Sequence, residues 1–394
     1  SGPPGRPRME SGRLMRSVLA AAVAVLAAAA IAAPAAAASP PPAATGPVIG
    51  GAQLSGRGVL VNYPSRAVVP RLPKIKASAW VIADAGTGQV LAAKDPHGWY
   101  RPASTLKVLT AISFIPALNP NAMVVASKQA TTVSPNIVGL MRGHSYKVSD
   151  LFTALLTISA NDAAMALAQA TGSLSQGMAV INAEARHLQA DDTVAVTPNG
   201  LDAPGQRTSA YDLALFARQG LQMPAFLKYD QTTSGQFRIS KKKSVGLWNQ
   251  NSLLATYPGA LGGKIGWTSA AGATYVGMAR RHGVTLIVSL LHCPALTEIK
   301  AGKSLLNWGF AVDGKVRPVG TLVGPKQPPA AAPTPSAFPS RPAVTAERGD
   351  RAQAMGSGPS AGSGPSVLAT AAFSSVTLLA AGIGFGYTRR RSRS

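Results

Sequence analysis

The sequence predicts a mixed α/β (α+β) fold: an antiparallel sheet flanked by helices, with a helical subdomain inserted into it. Two observations carry this reading. Strand-like segments cluster at residues 77–93 and return at residues 274–291, with helical periodicity filling the stretch between. Each strand cluster is broken by a short run of turn residues, as hairpins are. The simplest architecture that joins the two clusters is one antiparallel sheet built from both ends of a domain.

The elements follow in order. Ala77 to Ala83 reads as a strand, Asp84-Ala85-Gly86-Thr87-Gly88 as a turn, and Gln89 to Ala93 as the returning strand. Ser104 to Ile115 reads as an apolar helix. Ser149 and Asp150 are expected to cap a helix carrying Leu151, Leu155 and Ile158, and Asp162 to cap another running through Ala170. Helical patterns continue over Gln176–Leu188 and Ala210–Leu221. Thr274–Ala279, the turn Arg281-His282-Gly283 and Val284–Leu291 form the second hairpin, and a last helix is expected from Ala295 to Trp308. No internal repeat is present.

The ends are not domain material. Arg13 and Arg16, the apolar run Val18–Ala33 and the small residues Ala35–Ala38 have the three-part layout of a secretory signal, expected over residues 1–38. A non-cleaved anchor is the competing reading. Residues 39–75 read as a Pro/Ala-rich lead-in, residues 76–324 as the folded domain, and 325–366 as a Pro/Ala/Ser/Gly tether that lacks the aliphatics for a core. Val367–Tyr387 is uncharged and long enough at 1.5 Å per residue to span a bilayer core of roughly 30 Å. Arg389, Arg390, Arg391 and Arg393 follow it, so 388–394 is expected to be a basic cytoplasmic tail by the positive-inside rule. A cleavable sorting signal is the alternative, but no Leu-Pro-x-Thr-Gly type motif precedes the segment. The expected location is therefore the cell membrane, single-pass, with the folded domain outside.

The net charge is +23, with 38 Lys and Arg against 15 Asp and Glu. Much of that excess lies outside the two ends, so an exported domain would be drawn to anionic lipid or wall polymers. Nucleic acid is a poor partner for an exported domain without an aromatic-interleaved basic motif. Lys241-Lys242-Lys243 is expected to be a solvated turn. The single cysteine, Cys293, leaves no internal disulfide and reads as a small buried apolar residue.

Three short motifs carry chemistry. Ser104-Thr105-Leu106-Lys107 is Ser-x-x-Lys, Ser159-Ala160-Asn161 is Ser-x-Asn, and Lys264-Ile265-Gly266 is Lys-x-Gly. Each is weak alone; in this order, separated by 55 and 105 residues, they form one constellation. Positions i and i+3 share a helix face, so Lys107 can reach the Ser104 hydroxyl. A serine needs a base to become nucleophilic, and burial plus a second cation, here Lys264, pushes a lysine toward its neutral, basic form. Ser159 could relay a proton to a leaving nitrogen, and Asn161 could hold a substrate amide. The glycines around Lys264, including Gly266, let a peptide backbone approach the strand. The backbone N–H groups of Trp267 and Ser104 could stabilise an oxyanion, and Thr268 offers a hydroxyl. The plain alternatives are an N-cap with a surface lysine, loop capping, and a bulged strand.

With these motifs in view, the stretch from Ala77 to Phe310 resembles the D-alanyl-D-alanine carboxypeptidases, the low-molecular-mass penicillin-binding proteins. The likeness includes Arg101-Pro102-Ala103-Ser104-Thr105-Leu106-Lys107, Ser159-Ala160-Asn161-Asp162-Ala163-Ala164, Asn199-Gly200-Leu201-Asp202 and Lys264-Ile265-Gly266-Trp267-Thr268-Ser269-Ala270-Ala271-Gly272. It implies a β-lactamase/DD-peptidase-like fold and a serine acyl-enzyme mechanism without metal or cofactor. It also implies peptidoglycan stem peptides as substrate and β-lactams as covalent inhibitors. Two departures stand out. Ile265 occupies a position usually held by Thr, and His292-Cys293-Pro294 lies where relatives often carry a carboxylate-binding arginine. They keep open a wall-binding protein without turnover. A β-lactamase is the remaining alternative, but Glu184, the sole glutamate between Ser159 and Lys264, lacks the motif of that type.

Overall fold

The computed structural model describes residues 48–65 and 68–326, together with Gly2. The expected signal, the Val367–Tyr387 segment, the basic tail and nearly all of the tether lie outside the described residues. Among the described residues no helix is long and apolar enough to cross a membrane.

The strands are β1 (Val59–Val61), β2 (Ala79–Asp84), β3 (Gln89–Lys94), β4 (Met123–Val125), β5 (Ser145–Lys147), β6 (Ser234–Arg238), β7 (Ser244–Trp248), β8 (Ala260–Thr268), β9 (Gly272–Arg281), β10 (Val284–Cys293) and β11 (Gly320–Thr321). The helices are α1 (Lys107–Phe114), α2 (Lys128–Thr131), α3 (Val148–Thr157), α4 (Asn161–Gln169), α5 (Leu174–His187), α6 (Ala210–Leu221), α7 (Pro224–Asp230), α8 (Leu253–Thr256) and α9 (Glu298–Val312).

One antiparallel sheet organises them in the order β1-β3-β2-β10-β9-β8, with β11 added to β3. The two expected hairpins are β2–β3 and β9–β10, and β2 pairs with β10, which closes the two ends of the domain into one sheet. The central strands read as near-continuous apolar runs because both faces are covered. Successive side chains alternate between faces. Val81, Ala83, Ile287 and Leu291 face the cluster formed with the helical part, whereas Trp80, Ile82, Leu286 and Val288 face α9. Ser289, on the α6 side, satisfies its buried hydroxyl by donating to the Ala210 carbonyl.

The helical subdomain, with the small sheets β4–β5 and β6–β7, is inserted between β3 and β8. These four short strands were not expected. β4 is largely exposed and β6–β7 turns through Lys241-Lys242-Lys243, so no apolar run marks them. The expected solvated lysine turn is present. The sheet also reaches into the stretch read as a lead-in, since Val59–Val61 pairs with β3.

Three local expectations need correction. Ser149 and Asp150 do not cap α3; Lys147 precedes it with no side-chain cap, and Asp150 lies in the first turn. A lost cap costs about 1 kcal/mol. Burial of Leu151, Phe152 and Leu155, each no more than 1% exposed, contributes roughly 1.5–3 kcal/mol apiece, so packing alone holds the helix. Asp162 is not the cap of α4, which begins after Ala160. Its carboxylate instead accepts the backbone N–H groups of Val138, Gly139 and Leu140 at 3.0, 2.8 and 2.9 Å, anchoring a loop 22 to 24 residues upstream. Finally, α9 starts at Glu298 rather than Ala295, because Leu296 takes a left-handed conformation (φ 64°) just after Pro294.

The Asp162→Ala protein should lose about 2–3 kcal/mol of unfolding free energy in urea, since two buried and one partly buried N–H groups lose their acceptor. A change below about 0.5 kcal/mol would show that the loop is held by other means.

Candidate active site

A cleft of about 750 Å³ runs along the free edge of β8, and Ser104, Ser159 and Asn161 all line it. Three parts of the chain meet there: the turn before α1, the α3–α4 junction, and β8.

Ser104 sits in a 3-10 turn, Ala103–Leu106, that runs directly into α1. The residue before it, Ala103, is left-handed at φ 46°, a strained state worth roughly 1–3 kcal/mol for a non-glycine residue. The surroundings enforce it. Gly200 (φ 82°) lies against the Ala103 carbonyl so closely that any side chain there would collide. Arg101 pairs with Asp202 at 3.4 Å across the same contact, a partly exposed bridge of modest strength. On the other side Gly266 of β8 packs against the turn: a Cβ at Gly266 would stand 2.6 Å from the Ser104 nitrogen. The Thr274 hydroxyl ties β9 to the same turn by donating to the Pro102 carbonyl at 2.9 Å.

Lys107 is fully buried, and its Nζ lies 2.8 Å from each of three oxygens: Ser104 Oγ, Asn161 Oδ1 and the Asn199 carbonyl. Burial first, then the nearby Lys264, hold Lys107 well below the ordinary lysine range, with Asp162 pulling the other way. The neutral amine has two N–H donors and one lone pair. The Asn161 amide oxygen and the Asn199 carbonyl can only accept. They take both N–H groups, which leaves the lone pair for the hydroxyl of Ser104. This is the arrangement of a base waiting on a nucleophile.

Ser159, at the α3–α4 junction, is also left-handed (φ 63°) and 2% exposed, and its Oγ has no hydrogen-bond partner among the described residues. Asn161 is more committed than expected. Its Oδ1 serves Lys107, and its Nδ2 donates to the Pro135 carbonyl at 2.8 Å and to the Ser134 carbonyl at 3.3 Å. Before substrate arrives, this side chain orients the lysine rather than offering a free amide.

Lys264 is 1% exposed and donates to the Ile265 carbonyl at 2.9 Å. Burial lowers it to about 7, although Asp230 opposes the shift. Asp230, at the end of α7, is fully buried, accepts the Gly263 N–H at 2.7 Å and is raised to about 7 by burial, partly offset by that bond and by Lys264. By strand alternation Gly266 and Thr268 share the face of Lys264, whereas Ile265 and Trp267 point to the α9 side. Thr268 therefore offers a hydroxyl on the Lys264 face, where it accepts the Ala271 N–H at 2.9 Å and still has a proton to donate.

At the end of β10 the bulge at Leu290/Cys293 places His292 at φ 55°, with its ring Nδ1 2.9 Å from the Ala271 carbonyl. Cys293 is 4% exposed, and burial, then Glu298, push its thiol up to about 12, so it is the inert filler the sequence suggested. Among the described residues no group of His, Cys, Asp and Glu is arranged to hold a metal.

The structure thus brings Ser104, Lys107, Ser159, Asn161, Lys264, Gly266, Trp267 and Thr268 to one cleft or its immediate support. The sequence reading missed the Asn199 carbonyl as a partner of Lys107 and missed Asp230 altogether. The Asn199-Gly200 turn pair was a visible signal; a single Asp on a seven-residue helix was not. Because Gly266 leaves no room for a side chain, Gly266→Ala should reduce penicillin acylation by about 100-fold, as displacement of a nucleophile by an ångström does. An unchanged acylation rate would mean that the strand and the Ser104 turn are not held in this contact.

Comparison with known proteins agrees with this geometry. A family profile described as D-alanyl-D-alanine carboxypeptidase, peptidase family S11, matches residues 66–294. The chain is 37% identical over 257 residues to D-alanyl-D-alanine carboxypeptidase DacB2 of Mycobacterium tuberculosis, covering 64% of this chain and 88% of that one. It is 31% identical to D-alanyl-D-alanine carboxypeptidase DacD of Salmonella typhimurium, covering 61% of this chain and 64% of that one. The crystal structure of a D-alanyl-D-alanine carboxypeptidase from Mycobacterium tuberculosis superposes with a TM-score of 0.62 at 37% identity, covering 66% of this chain and 99% of its own. A mutant of the Streptomyces K15 DD-transpeptidase superposes with a TM-score of 0.59 at 25% identity, covering 61% and 99%. With a profile that spans more than half of the residues and a cleft built from the expected motifs, the chain belongs to the D-alanyl-D-alanine carboxypeptidase family.

Proposed function

We propose that this chain is a serine-type carboxypeptidase that removes the terminal D-alanine of peptidoglycan stem peptides, with Ser104 as nucleophile and Lys107 as its base. The observation that carries the assignment of roles is the set of three 2.8 Å contacts at the Lys107 nitrogen. Ser104 Oγ attacks the carbonyl between the last two D-alanines while its proton passes to Lys107. The backbone N–H groups of Ser104 and Trp267 receive the charge developing on the oxygen. The C–N bond breaks, and the leaving nitrogen takes a proton through the unpartnered Ser159 hydroxyl. Water then attacks the acyl-enzyme, releasing the shortened peptide and Ser104. Lys264 holds the terminal carboxylate alone as a point charge, without the arginine that relatives often carry near the position of His292-Cys293-Pro294. β-Lactams would acylate the same serine.

A second reading, a wall-binding protein without turnover, is favoured by His292-Cys293-Pro294 and by Ile265. The β-lactamase reading gains nothing, since Glu184 lies within α5 and does not line the cleft. We further propose that the domain works outside the cell, exported by residues 1–38 and anchored through Val367–Tyr387 with an arginine cluster behind it.

Intact-mass measurement after incubation with penicillin should show one added penicillin on the parent and none on folded Ser104→Ala. Lys107→Ala should slow acylation by about 1,000-fold or more. A penicillin adduct or near-normal D-alanine release with Ser104→Ala would contradict the mechanism. Rapid acylation of the parent with negligible release of D-alanine from a peptide would select the second reading.

The pH dependence follows from Lys264. Its charge is present below about 7 and lost above, so acylation by a carboxylate-bearing β-lactam should fall as pH rises through that value. Asp230 favours the charged form, so Asp230→Asn lowers the Lys264 pKa and moves the fall to lower pH. A stopped-flow pH profile that moves the other way, or not at all, would remove Asp230 from the account.

A further inference from the structure

β8 is the edge of the sheet, and the cleft wraps around that edge. An extended peptide added to an edge strand sends alternate side chains to opposite faces of the sheet. One face carries Lys264 and the nucleophile. The other carries Ile265 and Trp267, paired with Tyr275 and Ala273 on the α9 side. That second face has its own polar group. Glu298, the first residue of α9, lines the cleft and is 8% exposed, and its Oε2 is buried with no hydrogen-bond partner among the described residues. Of the described residues lining the cleft, it is the one with a formal charge. Beside it Trp267 is 61% exposed and Leu296 95% exposed.

This combination has a specific chemistry. A buried carboxylate oxygen without a donor is an unsatisfied acceptor, which a charged donor relieves most strongly. The exposed indole attracts a cation over its face, and the apolar side chains of Ile265 and Leu296 suit a methylene stem. In a chain of net charge +23 the general field repels cations, so a cation reaching this position needs a local anion.

We propose that Glu298, with Trp267 and Leu296, receives the ammonium of the side chain on the residue that precedes the D-alanyl pair, so that the protein discriminates a free side-chain amine from the same amine acylated. This rests on the reading of the cleft as a D-alanyl-D-alanine site and adds the residue of this chain that senses the neighbouring side-chain amine. Glu298 is then a specificity-determining residue that takes no part in the chemical step. Its place in the first turn of α9 also complements the helix dipole, and the test separates the two roles.

The test compares kcat/KM of the full chain for Nα-acetyl-Lys-D-Ala-D-Ala and Nα,Nε-diacetyl-Lys-D-Ala-D-Ala, which differ only in that amine. The parent should prefer the free amine by about tenfold, the size of one charge-assisted hydrogen bond. In Glu298→Gln the ratio should fall to about one. Because a ratio does not depend on the fraction of active protein, partial loss of folding does not mimic this result. A parent ratio near one overturns the proposal, as does a ratio in Glu298→Gln equal to the parent's with both rates reduced, which is the signature of a structural role alone. Failure of the parent to turn over either peptide or to form a penicillin adduct would instead overturn the carboxypeptidase reading, and this inference with it.

Discussion

The Lys107 side chain ends in a fully buried nitrogen whose three bonded neighbours are all uncharged. Deprotonating an ordinary lysine at pH 7 costs about 5 kcal/mol, from a reference near 10.4 and about 1.4 kcal/mol per unit. Keeping an unpaired ammonium in a low-dielectric site also costs several kcal/mol. The second buried lysine, Lys264, adds repulsion that the neutral amine escapes. Asp162 pulls the other way, yet its carboxylate is already shared among three loop N–H groups. The balance falls to the neutral form, and a neutral lysine beside a serine hydroxyl is a base. The chemistry follows from where the fold puts one amine.

Holding that amine requires three separate regions. The turn before α1 supplies the serine, the inserted helical subdomain supplies Asn161 and Ser159, and the loop at Asn199 supplies the carbonyl that takes the remaining N–H. The sheet closes the arrangement from the other side, where Gly266 admits the backbone of β8 against Ser104. Two of the left-handed non-glycine residues, Ala103 and Ser159, lie at this junction. Such strain persists only where surrounding contacts over-determine it, and here Gly200, Gly266 and Thr274 press on the same short turn.

The motifs were legible because three short patterns, each weak alone, occur together in one order. Ser104, Lys107, Ser159, Asn161 and Lys264 needed no structure to be nominated, and the two principal hairpins followed from apolar strand-like runs broken by the turn residues at 84–88 and 281–283. What stayed hidden depended on contacts between distant parts of the chain. Asp162 has the local look of a helix cap, and nothing nearby in sequence shows that it serves the loop at 138–140. Asp230 and Glu298 are single acids on unremarkable helices, and only burial with one carboxylate oxygen left unpartnered among the described residues distinguishes them. The free amide expected at Asn161 is already occupied. The short strands β4 to β7 carry too little apolar surface for a pattern to register.

The central claim is that Lys107 is a neutral amine in the resting protein, and the nitrogen itself reports this. The 15N chemical shift of Lys107 Nζ, assigned by comparison with a Lys107→Arg protein and followed over pH, distinguishes amine from ammonium directly. The account predicts the amine shift at pH 7, with conversion to ammonium only well below the ordinary lysine range. An ammonium shift that persists to pH 9 would contradict it, because the Ser104 hydroxyl would then face a fully protonated neighbour with no lone pair to accept its proton.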